Sequence, residues 1–179
     1  MTTLQLFSSD RYADPVGLET YRSHTGQEFK VSKLVTGTPS DVFDAWIRHI
    51  WLAGGDQVHE GAGRGYIGSV RRVPLRVEEE ILSAGLPGAK IPSISYRVRK
   101  PGPFPLQSHL AMVHFMDASD PGMEVRETSK APMTLVLWTV KTELTNTCNW
   151  LHCGSLVRLI FRTALKTFLR TLAQETSCN

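Results

Sequence analysis

Cysteine is scarce in this chain, and the three present, Cys148, Cys153 and Cys178, crowd toward its end. An odd, clustered set is no disulfide framework. Cys148 and Cys153 are not at a zinc spacing, and His152 between them has no evident fourth ligand to complete a site. Reduced thiols in a cytoplasmic protein are therefore expected, with no metal and no cofactor. Long apolar runs are missing too. No stretch of about 18 apolar residues occurs, so no membrane-spanning helix is expected. Residues 1–10 lack a basic start and an apolar run, so they do not read as a secretory signal. Charge is nearly balanced: 20 Lys and Arg against 17 Asp and Glu leave +3. That is too weak a field to argue for nucleic acid, and no nucleic-acid-binding motif accompanies it. Catalytic signatures are likewise absent, with no Ser-His-Asp ordering, phosphate loop, dinucleotide fingerprint or paired-carboxylate motif.

What is present is the composition of one globular domain. The chain has 179 residues, 41% apolar and 21% charged, enough to bury a core without disulfides or metals. Residues 1–26 are mixed and polar, with Asp14-Pro15 and His24-Thr25-Gly26 as breakers, and read as a loosely attached lead-in. The domain proper is expected over 27–176. A first strand is expected over 28–36. A helix start follows, with Thr38 as N-cap, Pro39 as the first helical residue and Asp41 as the reciprocal acid. Val42, Phe43, Trp46, Ile47 and Ile50 continue it at helical spacing, up to Gly54-Gly55. Residues 54–68 hold six glycines and read as a flexible loop. Within them 61–65 lacks the strand-then-helix context of a phosphate loop and reads as a mobile gate at a pocket mouth. Strands are expected over 66–73, 75–83, 93–99, 108–118 and 134–144, joined by turn signals at Pro74, Leu86-Pro87-Gly88 and 100–103. No helix-length crossover intervenes, which points to an antiparallel meander. The connection 119–133 is long and holds a further short strand candidate at 124–129. A closing helix is expected over 154–174. Leu156, Leu159, Ile160, Leu165, Phe168, Leu169 and Leu172 form its apolar face, and Arg158, Arg162, Lys166 and Arg170 a basic flank.

This order, strand, helix, meander and long helix, resembles the SRPBCC superfamily, the START-like or helix-grip proteins. These include polyketide cyclase/dehydrase-like lipid-binding proteins and the birch pollen allergen type. Four segments carry the resemblance. Residues 35–46, from Val35 through Gly37, Thr38 and Pro39 to Trp46, look like the family's first strand and helix entry. Residues 65–73, opening Gly65-Tyr66-Ile67-Gly68, look like its glycine-led second strand. Glu79-Glu80-Ile81-Leu82 with Ser95-Tyr96-Arg97-Val98 resembles the next hairpin, and residues 134–140 the last strand. The resemblance implies an α+β fold in which a curved antiparallel sheet wraps a long C-terminal helix around an apolar cavity. It implies binding or transport of a hydrophobic small molecule, a lipid, a polyketide or similar. A cyclase or dehydratase acting in the same cavity is an alternative. A membrane- or protein-interaction module built on the basic helix is another, without stable membrane insertion.

Strand alternation nominates the residues facing the cavity. Tyr96 and Val98 on the fourth expected strand, Val136 and Trp138 on the last, and Ile160 on the helix are expected to line it. On strand 108–118 both faces are apolar; the family pattern puts His109, Ala111, Val113 and Phe115 inward. Two polar candidates for proton transfer stand out. Glu79 shares a face with Leu75, Val77 and Ile81, where burial would raise its pKa. Its other reading is an ion pair with an arginine such as Arg97 or Arg71, or a place at a wet rim. His109 has an imidazole that exchanges a proton near pH 7, or is a strand histidine bonded to backbone or water. Tyr96 and Trp138 suit a ligand-pocket floor, offering flat apolar area and one polar tip each.

Overall fold

A computed structural model of the chain describes residues 14–86, 91–119, 131–145 and 154–177. Seven strands are found among them: β1 Gln27–Thr36, β2 Asp56–His59, β3 Val70–Val73, β4 Val77–Gly85, β5 Ser93–Lys100, β6 Leu106–Asp117 and β7 Met133–Leu144. All pair antiparallel in one sheet of order β1-β7-β6-β5-β4-β3-β2, so the first strand closes against the last. Three helices accompany them: α1 Pro15–Ser23, α2 Pro39–Ala45 and α3 Gly154–Ser177.

The entry to α2 forms as its local sequence demands. The Thr38 hydroxyl accepts from Asp41 N–H at 3.3 Å, and Asp41 reaches back to the Thr38 hydroxyl at 2.7 Å. Beyond Ala45 the helix widens into a π-helical segment, Trp46–Leu52, in which Ala53 N–H donates to the Arg48 carbonyl at 3.1 Å. That five-residue step matters for the interior. In an α-helix, residues five apart point about 140° away from each other. Here Trp46 and Trp51 stack, with ring centroids 6.1 Å apart and planes at 23°.

The sheet's two faces are both covered. On the concave side Val31, Val35, Ile81, Ile94, Ala111, Val113, Phe115, Val136 and Val140 pack against α2, the π segment and Leu165, Leu169 and Leu172 of α3. The face of β6 bearing His109, Ala111, Val113 and Phe115 is therefore the inner one. On the convex side Leu110, Met112 and Met116 of β6 meet Leu18 and Tyr21 of α1.

That convex layer corrects the reading of 1–26 as a loose lead-in, at least over α1. Asp14 and Pro15 do not break the chain; they start a helix. Asp14 accepts from Gly17 N–H at 2.8 Å, and Pro15 occupies the first turn. Gly17 lets the helix press on the sheet: a Cβ there would lie 2.4 Å from Ser83 Oγ. At the other end Lys141 of β7 donates to the carbonyls of Tyr21 (2.8 Å), Arg22 (3.0 Å) and His24 (2.8 Å), groups the helix leaves without intrahelical partners.

Three further corrections follow. The glycine-rich stretch 54–68 is not a free loop. It contains β2 and a turn clasped by paired hydrogen bonds between Ala62 and Ile67. It is pinned to α2 by Arg64, whose Nε donates to Asp44 at 2.8 Å and whose Nη2 donates to Ser40 at 2.8 Å. Strand β3 begins at Val70 rather than 66, because Tyr66–Gly68 belongs to that turn. Leu75 lies outside β4, in a tight turn with φ of +65°, and is exposed. The expected strand at 124–129, residues 1–10, Cys148, His152, Cys153 and Cys178 lie outside the described residues.

Candidate functional site

The interior between sheet and α3 is built from aromatic side chains on four elements. Tyr96 of β5 and Trp138 of β7 form its floor, fully buried, and Trp138 Nε1 donates to the Tyr96 hydroxyl at 3.0 Å. Trp46 stands edge-on to Trp138 at 5.6 Å, and Trp51 edge-on to Tyr96 at 5.6 Å. From α3, Phe168 stacks on Trp138 at 6.3 Å, while Phe161 faces His109 at 5.8 Å. Tyr96 and His109 are neighbours as well, with ring centroids 5.8 Å apart. Alternation along single strands foretells Tyr96 and Trp138, and the family resemblance foretells the inward side of His109. Neither foretells the Trp46–Trp51 stack, which depends on the π-helical step.

Electrostatics in this interior are set by burial. Burial pushes the Tyr96 hydroxyl well above its ordinary pKa, and the nearby Glu79 charge adds to the effect. Burial pulls the His109 imidazole down to about 4, with Glu79 opposing. His109 is therefore neutral at pH 7, with one nitrogen a donor and the other an acceptor. Its Nδ1 is buried and has no hydrogen-bond partner among the described residues, and the same holds for Thr142 Oγ1 and Trp46 Nε1. His109 and Thr142 pair directly across β6 and β7, so they share the concave face.

Glu79 takes the ion-pair reading. Arg71 Nη2 lies 2.7 Å from its carboxylate and Nε donates to it at 2.8 Å. The Arg71 guanidinium is itself buried, sits over the Trp51 ring at 4.3 Å and donates to the carbonyls of Ile50 and Trp51. Arg71 thus ties the end of the π segment to the sheet, and Glu79 balances its charge. Arg97 pairs elsewhere, with Glu80 at 2.8 Å.

Of the expected lining residues, Tyr96, Ala111, Val113, Phe115, Val136 and Trp138 are all buried on the concave side. Two depart. Val98 shares the Tyr96 face but is half-buried, opposite Glu79 near the end of β5. Ile160 faces outward and is 48% exposed, as are Leu156 (59%) and Leu159 (59%). The inward stripe of α3 is Val157, Leu165, Leu169 and Leu172, so the apolar face expected from sequence was drawn too wide at the helix start.

A hollow of about 420 Å³ opens where α3 begins, lined by Gln27, Gln107, Thr142, Leu144 and Arg158 among others. Thr142, which shares the concave face with His109, is one of its lining residues. Another, of about 550 Å³, lies by Lys33 and Arg170 at the far end of α3.

No protein-family profile matches the sequence, and no curated protein matches it. Solved structures do resemble the fold. Norcoclaurine synthase from Thalictrum flavum, in complex with dopamine and hydroxybenzaldehyde, superposes with a TM-score of 0.53 at 10% identity, over 86% of this chain and 87% of that one. Ara h 8.0201 gives 0.53 at 12% identity, over 86% and 99%. XoxI from Bacillus cereus gives 0.52 at 15% identity, over 83% and 94%. The chain has the helix-grip fold. At these identities the likeness is one of architecture. Among the described residues, no helix of this helix-grip chain is long and apolar enough to cross a membrane.

Proposed function

We propose that the protein binds and carries a hydrophobic small molecule, a lipid, a polyketide or similar, between the sheet and α3. One observation carries this reading: an aromatic-walled concave face, with a hollow at the start of α3 that shares Thr142 with that face. Flat aromatic walls with few polar tips are the usual lining of small-molecule sites. That norcoclaurine synthase holds small aromatic molecules on the same architecture supports it. Carriage is preferred to cyclase or dehydratase chemistry because the Glu79 carboxylate is occupied by Arg71. The sparse, odd set of cysteines supports a cytoplasmic carrier. Native mass spectrometry of freshly purified protein tests the reading. An apolar adduct is expected; its absence, together with unchanged tryptophan fluorescence on titration with apolar probes, refutes it.

A second reading concerns where the cargo is collected. Leu156, Leu159 and Ile160 form an exposed aliphatic patch on the outer face of α3. Arg158, Arg162, Lys166 and Arg170 lie along the same helix with no acidic partner among the described residues. Exposed aliphatics beside unpaired cations suit peripheral contact with an anionic bilayer, α3 lying on the surface rather than entering it.

A further inference from the structure

The hollow at the start of α3 has a feature that an apolar ligand alone leaves unexplained. Two polar atoms, Oγ1 of its lining residue Thr142 and Nδ1 of His109 opposite it across the strand pair, are buried without partners among the described residues. The two side chains are 3% and 5% exposed and stand opposite each other across β6 and β7. An unpaired buried donor or acceptor is costly, and two on neighbouring positions of one face need a common explanation. Thr142 also lines the hollow, which gives a ligand a route to the pair. Around them the surfaces are apolar: Phe161 on His109, and Leu106, Leu144 and Val157 beside the strand ends.

We propose that His109 and Thr142 form a polar subsite that receives a neutral hydroxyl of an otherwise apolar ligand entering beside α3. This rests on the carrier reading and specifies its cargo as hydroxylated. A hydroxyl matches the pair because it both donates and accepts, and so do a neutral imidazole and a threonine hydroxyl. A charged group does not match. Burying a charge beside two neutral groups costs more than their hydrogen bonds return.

The test compares two probes of nearly equal shape, 2-naphthol and 2-methylnaphthalene, by tryptophan fluorescence and calorimetry on the full chain. A wholly apolar lining favours the methyl compound, since the hydroxyl must leave water. The subsite reverses that order, and 2-naphthol is expected to bind about tenfold tighter, the return of one well-made hydrogen bond. In the variant carrying His109→Phe and Thr142→Val, the naphthol is expected to lose about tenfold while the methyl compound changes by less than about twofold. Thr142→Val alone, which keeps the side chain's shape, reads the same loss in part if the double variant fails to fold. A wild type that prefers 2-methylnaphthalene, or a naphthol preference that survives both substitutions, overturns the subsite and leaves the carrier reading standing. Binding of neither probe overturns both.

Discussion

Lowering the pH from 7 to 5 is expected to destabilise the fold through two histidines on one strand. His109 faces the concave interior; His114 points to the convex side under α1; both are at most 5% exposed. Burial lowers their pKa values to about 4 and about 3. In the unfolded chain each titrates near 6.5. The folded value is the lower one, so below pH 6.5 protons bind the unfolded chain first. Stability is full above about 6.5, falls as the pH drops, and stops falling for each group once its folded pKa is passed. At pH 5 each histidine removes about 1.36 × 1.5, or roughly 2 kcal/mol, and the pair about 4 kcal/mol. Against a typical domain stability of about 5–15 kcal/mol, that loss is large. Two carboxylates with shifted titrations, Glu78 and Glu143, do not confuse the window. Hydrogen bonds hold Glu78 and Glu143 below the ordinary carboxylate range, so their contribution is lost only at lower pH. Urea unfolding at pH 7, 6 and 5 measures the effect as a fall in midpoint at constant slope. His109→Phe should remove about half of the pH dependence and His114→Leu the other half. Equal midpoints at pH 7 and 5 in the wild type would refute the claim that these imidazoles are buried neutral.

Other expectations follow from the same contacts. Arg71→Met leaves the Glu79 carboxylate without its cation and should cost about 3–5 kcal/mol in urea unfolding, part of which Glu79→Gln restores. Lys141→Met strips three carbonyls at the end of α1 of their donor and should cost about 1–3 kcal/mol, with faster amide exchange in α1 than in β7. Flotation with phosphatidylserine vesicles should weaken when Leu159→Asp or Arg158→Gln with Arg162→Gln is introduced, while phosphatidylcholine vesicles bind little in every case. Equal flotation of wild type and variants would refute contact through α3.

What the sequence disclosed was local, and what it hid was not. The start of α2 was readable because a capping box lies within four residues. Strands β5 and β7 were readable because alternation is a property of each strand alone. The helix α1 was hidden because Asp14-Pro15 is both a turn signal and a helix start, and only the sheet beneath decides between them. A clue was nonetheless present. Both faces of β6 are apolar, which left its register ambiguous in sequence, and the reason is that both faces are covered. The outward turn of Ile160 was hidden because the first turns of α3 carry aliphatic residues all round, so their pattern does not choose a side. Thr142 was hidden because its partnership with His109 is a matter of register between strands, which neither strand specifies by itself.

The two ends of the grip differ in a way that follows from these placements. Toward the C-terminal half of α3, Leu165, Leu169 and Leu172 meet the tryptophan-rich core with little left exposed. Toward its start only Gly154 and Val157 are buried, three aliphatic residues face out, and two buried polar atoms lack partners among the described residues. Fully burying one leucine or isoleucine is worth about 1.5–3 kcal/mol, and an unmade hydrogen bond costs about 1–3 kcal/mol, so this end gives up several kcal/mol that the other keeps. Regions so arranged open first, because few buried contacts hold them. Amide exchange should therefore be faster over the first three turns of α3 than over its last three. A bound hydroxylated ligand should slow the first turns selectively, since it supplies the contacts they lack. Uniform exchange along α3, with or without 2-naphthol, would mean that the open end is as well held as the packed one, and that the hollow is no doorway.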